Sequence, residues 1–498
     1  MGSRVWVRLL RQGARFGNPE KWPDSHALVA VCNKTRAKLW YKGRMDRAMA
    51  IASSRFGFGP GPQDDPGGDP KAWLKAQLQG PDPGLASGAF AGLPTGEQAL
   101  EAHRADSAAQ HALLRANALQ PNKTAQGQFH PQAQELYRAD ATAQLNFATT
   151  TPFSFRERLV WFWTNHFAVS TRQNDAAVFA GPMIREAIRP YVTGNFTDMV
   201  LAVERHPAML IYLDNAHSAG PGSSAGIHFK QGLNENLGRE CMELHTVGLA
   251  AGYSQADVTS MANILTGWSV ATADKGGDAT GFFYHASMHE PGPQTVMGHQ
   301  FDGGEQAGID ALTFLSSYHT TYDLLARKLV IHFVADDPPP GAVKHLAGVL
   351  HETKGDLGAA SAALVDLPQA WVPAQKLKTP LDYVFSTLRA APAPAGPKPP
   401  DLIGQLNLLG QPVWAPPLPN GWPDQALDWA GSDAIMARIG LAYTYAARFN
   451  DAGVDPATLA GNALGPLLHP ATQAAMANAG SPREAMTLFL TAPEFQRR

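Results

Sequence analysis

The chain has 498 residues, 44% of them hydrophobic and 17% charged, with a formal net charge of −3. Disordered and coiled-coil chains carry far more charge, so this composition excludes both and leaves one large packed body or about three domains. So small a net charge creates no field that would gather nucleic acid, and no such partner is expected.

Residues 1–45 carry ten Lys or Arg against Glu20 and Asp24. Three readings compete: a basic arm for an anionic partner, a cleaved targeting peptide, or an extension from an over-early start codon. The apolar stretch 27–31 is too short for a secretory signal and follows Pro23 rather than a basic cap. The start-codon reading is preferred, and the segment is set outside the fold. A helix is predicted over 45–54, then a Pro/Gly/Asp loop over 60–70 and helices over 71–78, 97–119 and 132–149. Ser154 is the expected N-cap of a long helix reaching Val169. Helices follow over 182–191 and 195–205, and His206-Pro207 breaks the second before 208–213 begins. A Gly/Ser loop spans 218–232, and a helix over 233–246 is closed by Gly248. Ser254 and Asp257 have capping-box spacing and open a helix to Leu265. The stretch 281–301 reads as a short β-hairpin. Further helices are predicted over 308–333, 340–352, 357–365, 380–389, 434–448 and 481–490, with a Pro-rich connector at 391–400. The fold class is therefore mainly α: a main helical domain over 46–390, the connector, and a C-terminal helical segment over 401–498 packed on it. No apolar run reaches the ~18 residues of a membrane span. Cys32 and Cys241 are too few for a disulfide framework and lack CxxC spacing.

Two helices turn polar groups inward. At about 100° per residue, Leu233, Leu237, Cys241, Leu244 and Val247 form one stripe with Glu240 in its middle and Asn236 and Glu243 on one flank. On the earlier helix, His166 falls among Phe155, Leu159, Phe162 and Val169, flanked by Trp163 and Asn165. A buried carboxylate must find a cation, a metal or a proton, and one hydrogen bond between Glu240 and His166 would satisfy both groups. Such a pair serves as a register-fixing structural contact, as acid–base machinery, or as half of a metal site with Glu243 and His245. There is no HExxH, and Glu243 and His245 point about 200° apart. No spacing selects a cofactor. Gly222-Ser-Ser-Ala-Gly226 matches GxSxG but sits in a loop, without the strand that a nucleophile elbow needs. His289, before Glu-Pro-Gly-Pro293, is a turn residue and a candidate for the edge of a cleft. Asp214-Asn215 reads as a helix end, and Trp161, Trp163 and Trp268 as core.

Four blocks carry a resemblance: Arg158-Leu-Val-Trp-Phe-Trp-Thr-Asn-His-Phe167, Arg185-Glu-Ala-Ile-Arg-Pro190, His206 to Asn215, and Asn234 to Gly248. With Tyr253 to Asp257, Leu265-Thr-Gly-Trp268, His289 to Gly298 and the final Pro-Glu-Phe-Gln-Arg497, they make the chain, from about residue 46 onward, similar to the bacterial domain-of-unknown-function 1800 family. The resemblance implies a mostly helical body and brings no activity with it. It also implies an envelope or extracytoplasmic setting, because the family is often encoded beside a twin-arginine-exported one. The lack of a clear signal peptide reads instead as cytoplasmic. Thr164 stands where relatives often show His, Cys241 where they show Leu, and Gln294 where they show Lys.

Together these readings suggest an enzyme of hydrolase or lyase type acting on envelope or extracellular material. Glu240 would be its acid or base, His166 its partner or a second proton-transfer group, Arg239 or Glu243 electrostatic support, and the His289 loop a cover. The alternatives are a metal- or cofactor-dependent oxidoreductase, and a non-catalytic protein that assembles with an envelope or exported partner.

Overall fold

A computed structural model describes residues 45–65, 68–119, 131–172, 174–230, 232–391 and 399–498. Residues 1–44 of the basic extension and most of the Pro-rich connector lie outside the described residues. The principal helices are α1 (Gly96–Leu119), α2 (Gln132–Thr150), α3 (Ser154–His166), α4 (Asn174–Met183), α5 (Phe196–Glu204), α6 (Pro207–Tyr212) and α7 (Asn236–Glu240). They continue as α8 (Gln255–Leu265), α9 (Glu305–Ser316), α10 (His319–Phe333), α11 (Pro340–Glu352), α12 (Leu357–Asp366), α13 (Pro380–Ala390), α14 (Leu402–Leu408), α15 (Ser432–Asp451) and α16 (Pro482–Thr491). Two antiparallel pairs interrupt them, β1 (Trp268–Val270) with β2 (Phe282–Tyr284) and β3 (Gln294–Val296) with β4 (His299–Phe301). The mainly α expectation is met, and the second pair is the hairpin expected within 281–301.

Local sequence accounts for the boundaries. Ser254 and Asp257 close a reciprocal capping box at the start of α8, and Asn195, His206 and Thr379 cap α5, α6 and α13 through their side chains. Ser154 does not cap α3. The helix begins at Ser154 itself, its hydroxyl is buried without a partner, and Gln77 Oε1 takes the free Phe155 N–H at 2.9 Å. α3 also ends at His166 rather than Val169. Residues 170–172 are drawn away to the segment 413–416, with Thr171 N–H donating to the Trp414 carbonyl at 2.7 Å and Ser170 Oγ to that of Pro416 at 2.6 Å.

The largest departure follows α7. After Glu240 the backbone switches to a π turn over Cys241–His245, with i→i+5 bonding. Each residue beyond Glu240 is therefore rotated away from the wheel position expected of it. Glu240 and Leu244 come out only half-buried, while Cys241, Met242 and His245 are buried.

Residues 45–498 form one unit with a single main apolar core. The helices after residue 399 pack on those before it, α14 against α13 and α2. Residues 376–378 pair with 496–498 through a backbone bridge, Lys376 and Arg498 exchanging two hydrogen bonds at 3.1 and 2.8 Å. Several buried arginines are held by carboxylates inside this core. Arg189 binds Glu157 through two nitrogens at 2.8 and 2.7 Å, and Arg389 pairs with Asp64 at 3.0 Å. Among the described residues, no helix is long and apolar enough to cross a membrane.

Candidate functional site

Where α3 and α10 meet, the start of α13 and the loop 411–428 enclose a cleft of about 420 Å³. Asn420, Pro423, Gln425 and Asp428 at its rim are exposed. Trp161, Trp414 and Trp422 give it an aromatic wall, the first two stacked at 6.3 Å between ring centres. The loop is pinned to the end of α3 by one side chain: Asn165 Oδ1 accepts from Trp422 N–H at 2.7 Å and its Nδ2 donates to the Trp422 carbonyl at 2.9 Å. Gly421 approaches at a φ of 81°, and a Cβ there would run into the Asn165 carbonyl.

α10 contributes two ionisable groups four residues apart, hence on one face and about one helical turn from each other. The first is Lys328, whose Nζ donates to His166 Nδ1 at 3.0 Å and to the Leu244 carbonyl at 3.2 Å. That carbonyl belongs to the π turn, which leaves acceptors free at its end, where the helix is partially negative. Its neighbour, the His245 carbonyl, accepts from His166 Nε2–H at 3.2 Å. An imidazole that donates at Nε2 and accepts at Nδ1 is neutral. Burial first, then Lys328 and His245, keep His166 well below its usual titration range. Burial also lowers the Lys328 ammonium from its ordinary value to about 8.

The second group is His332, whose Nδ1–H donates to Asp424 Oδ2 at 2.6 Å. Among the described residues its Nε2 meets Arg158 alone, at a long 3.5 Å, so that lone pair is weakly engaged. Burial outweighs the attraction of Asp424 and brings His332 down to about 4. Asp424 in turn is held well below the carboxylate range: burial opposes this, but His332, Lys376 and Arg498 prevail. Arg158 pairs with Asp382 at 2.9 Å and Arg498 reaches the same carboxylate at 2.9 Å, which locks the floor of the cleft.

Of the residues expected to act, only His166 lines this cleft. Its partner is Lys328 and not Glu240. Glu240 is half-buried, with burial and Glu243 raising its pKa against the pull of His245 and Arg239, and it helps to raise the Tyr212 phenol after burial itself. Arg239 binds Glu235 and Gln255, each at 3.0 Å. Glu243 is half-buried on the π turn. His289 donates from Nδ1 to the Thr266 carbonyl at 2.9 Å and accepts the Gly304 N–H at 2.7 Å, so it joins two loops away from the cleft. Thr164 does line the cleft, with its hydroxyl returned to the Val160 carbonyl at 2.8 Å. Ser224 of the GxSxG match opens a short helix that Ser223 caps, with no strand before it. Trp163 and Trp268 are buried as expected, whereas half-buried Trp161 belongs to the cleft wall.

A second cluster lies behind the π turn. Glu204, Cys241 and His245 bring their donor atoms within 4.8 Å of one another, and His245 Nδ1 is 2.7 Å from Glu204 Oε1. Metal-ligand chemistry therefore gathers on Glu204, not on Glu240 and Glu243.

A family model described as Protein of unknown function (DUF1800) matches residues 51–497. The chain belongs to this family. No curated protein and no solved structure matches it. In this DUF1800 chain two of the four blocks singled out by sequence contribute to these centres: the first supplies α3 with Arg158, Asn165 and His166, and the last supplies the π turn with Cys241 and His245. Lys328, His332, Asp382 and Asp424 lie outside those blocks. One cue to the pair on α10 is its spacing, since a Lys and a His four apart share a helix face.

Proposed function

We propose that this protein is an enzyme of hydrolase or lyase type that works by acid–base chemistry in the cleft between α3 and α10. The observation that carries the reading is the pair Lys328 and His332, one turn apart on α10 and both opening onto one aromatic-walled cavity. Lys328 is the proton-transfer group. Burial without a carboxylate among its hydrogen-bond partners tunes its amine toward working pH, where a general base is most effective. His166 positions it by accepting one of its hydrogens. His332, fixed in one tautomer by Asp424, presents Nε2 to orient a water or a substrate hydroxyl, and Arg158 beside it faces developing negative charge. Lys328 takes the proton from that water, or from carbon next to a carboxylate, and returns it to the departing oxygen. The tryptophans favour a substrate with flat or ring-shaped faces, which suits a glycan of envelope or extracellular material.

The test is turnover on soluble glycans and glycopeptides from bacterial envelopes, read as new reducing ends or unsaturated sugars. Lys328→Met and His332→Gln should each lower turnover by about 10²-fold or more while remaining folded. Undiminished turnover in both variants would remove the assignment. A wild-type chain that binds these glycans without turning them over would make this a binding protein instead.

A further inference from the structure

The cluster behind the π turn has features that neither packing nor the proposed acid–base chemistry uses. Glu204, at the end of α5, and Cys241 are fully buried, and His245 is 1% exposed. Cys241 and His245 are four residues apart on the π turn, and Glu204 comes from a different helix. Glu204 Oε1 meets His245 Nδ1 at 2.7 Å and the Cys241 thiol hydrogen-bonds to the same carboxylate, whose Oε2 has no N–H or O–H donor among the described residues. A fully buried carboxylate served by one imidazole and one weak thiol donor is poorly compensated, and a cation would compensate it.

We infer that Glu204, Cys241 and His245 form a buried structural site for one zinc-class divalent ion. A thiolate sulfur, an imidazole nitrogen and a carboxylate are donors this ion prefers, and Glu204 can bind it through one or both of its oxygens. Zinc bonds of about 2.0–2.3 Å place donors of different residues roughly 3.3–3.8 Å apart, so the 2.7 Å between His245 Nδ1 and Glu204 Oε1 needs to open by less than about 1 Å. The charges also balance. Thiolate and carboxylate together cancel the ion, which matters at a site this deeply buried. On binding, the thiol proton leaves to solvent, and the imidazole proton moves from Nδ1 to Nε2, so one proton is released per ion. The ion would tie α5 to the turn whose carbonyls hold His166 and Lys328. The inference stands apart from the catalytic reading, since its measurements need no substrate.

The chain, produced in zinc-containing medium and purified without a metal-affinity step, should hold about one zinc per molecule by mass spectrometry of the metal. Cys241→Ser and Glu204→Gln should each retain less than a tenth of that. Refolding in cobalt should give a sulfur-to-cobalt charge-transfer band in the near ultraviolet, absent from C241S. Refolding wild type with a chelator should lower the melting temperature, and added zinc should restore it. A folded wild-type chain without metal after refolding in zinc overturns the site, as does full zinc retention in both variants. If the variants do not fold, the wild-type cobalt spectrum decides, and a spectrum lacking the sulfur band overturns the site.

Discussion

Lys328 shows how one buried group links stability to function. Its ammonium titrates near 8 in the folded chain against an ordinary value of 10.5. Between those values the unfolded chain binds more protons, so stability should rise with pH across that window, and the cost of burying the charge is present in full below about 8. A shift of this size corresponds to about 3 kcal/mol at most. Lys328→Met removes that cost but leaves His166 Nδ1 and the Leu244 carbonyl without their donor, so it should unfold at a denaturant midpoint close to that of wild type at pH 7 while losing turnover. Turnover should climb with pH to a plateau, its midpoint near 8, and Lys328→Arg should abolish that limb. Glu240→Gln should leave turnover within about twofold, because its carboxylate does not reach the cleft. Sequence reading placed His166 inside correctly but could not supply its partner, which lies 162 positions away on α10. Glu240 lies on a flank rather than in the middle of the apolar stripe because Leu244 and Val247, which define that stripe on a regular wheel, lie beyond the change from i→i+4 to i→i+5 bonding.

Elements were more legible than contacts. Capping and helix-breaking residues located most boundaries, and the capping box at Ser254 formed as its spacing required. α3 ends short of Val169 because the residues after it trade helical bonds for bonds to the 413–416 loop, which local sequence does not record. That loop depends on Asn165. Asn165→Ala would strand the Trp422 N–H and carbonyl, with an expected loss of about 1–3 kcal/mol. Limited proteolysis should then cut within 411–428 well before it does in wild type, while the helical circular dichroism persists. Asn165→Asp, which keeps the acceptor and loses the donor, should fall between the two.

At the scale of the whole molecule, Asp382 joins parts of the chain that sequence keeps far apart, binding Arg158 of α3 and Arg498 at once. Burial raises its pKa, but the two arginines outweigh burial and hold it near 2. Its contribution is present above the unfolded value of about 3.9 and disappears as pH falls through about 2. Asp382→Ala, which leaves two cations buried and unpaired, should cost about 3–5 kcal/mol in urea unfolding at pH 7. Composition and periodicity disclosed the helical class, because helix-forming patterns are local. The cleft escaped them, because its floor and roof meet only in three dimensions. Asn165 and Trp422 are separated by 257 positions. During synthesis on the ribosome, α3 emerges long before the strap that covers it, and its aromatic face waits uncovered while some 250 further residues are made. Fragments that stop short of that strap should recruit chaperones and aggregate, and an assay of such pieces would report on their stickiness rather than on any chemistry of the finished chain.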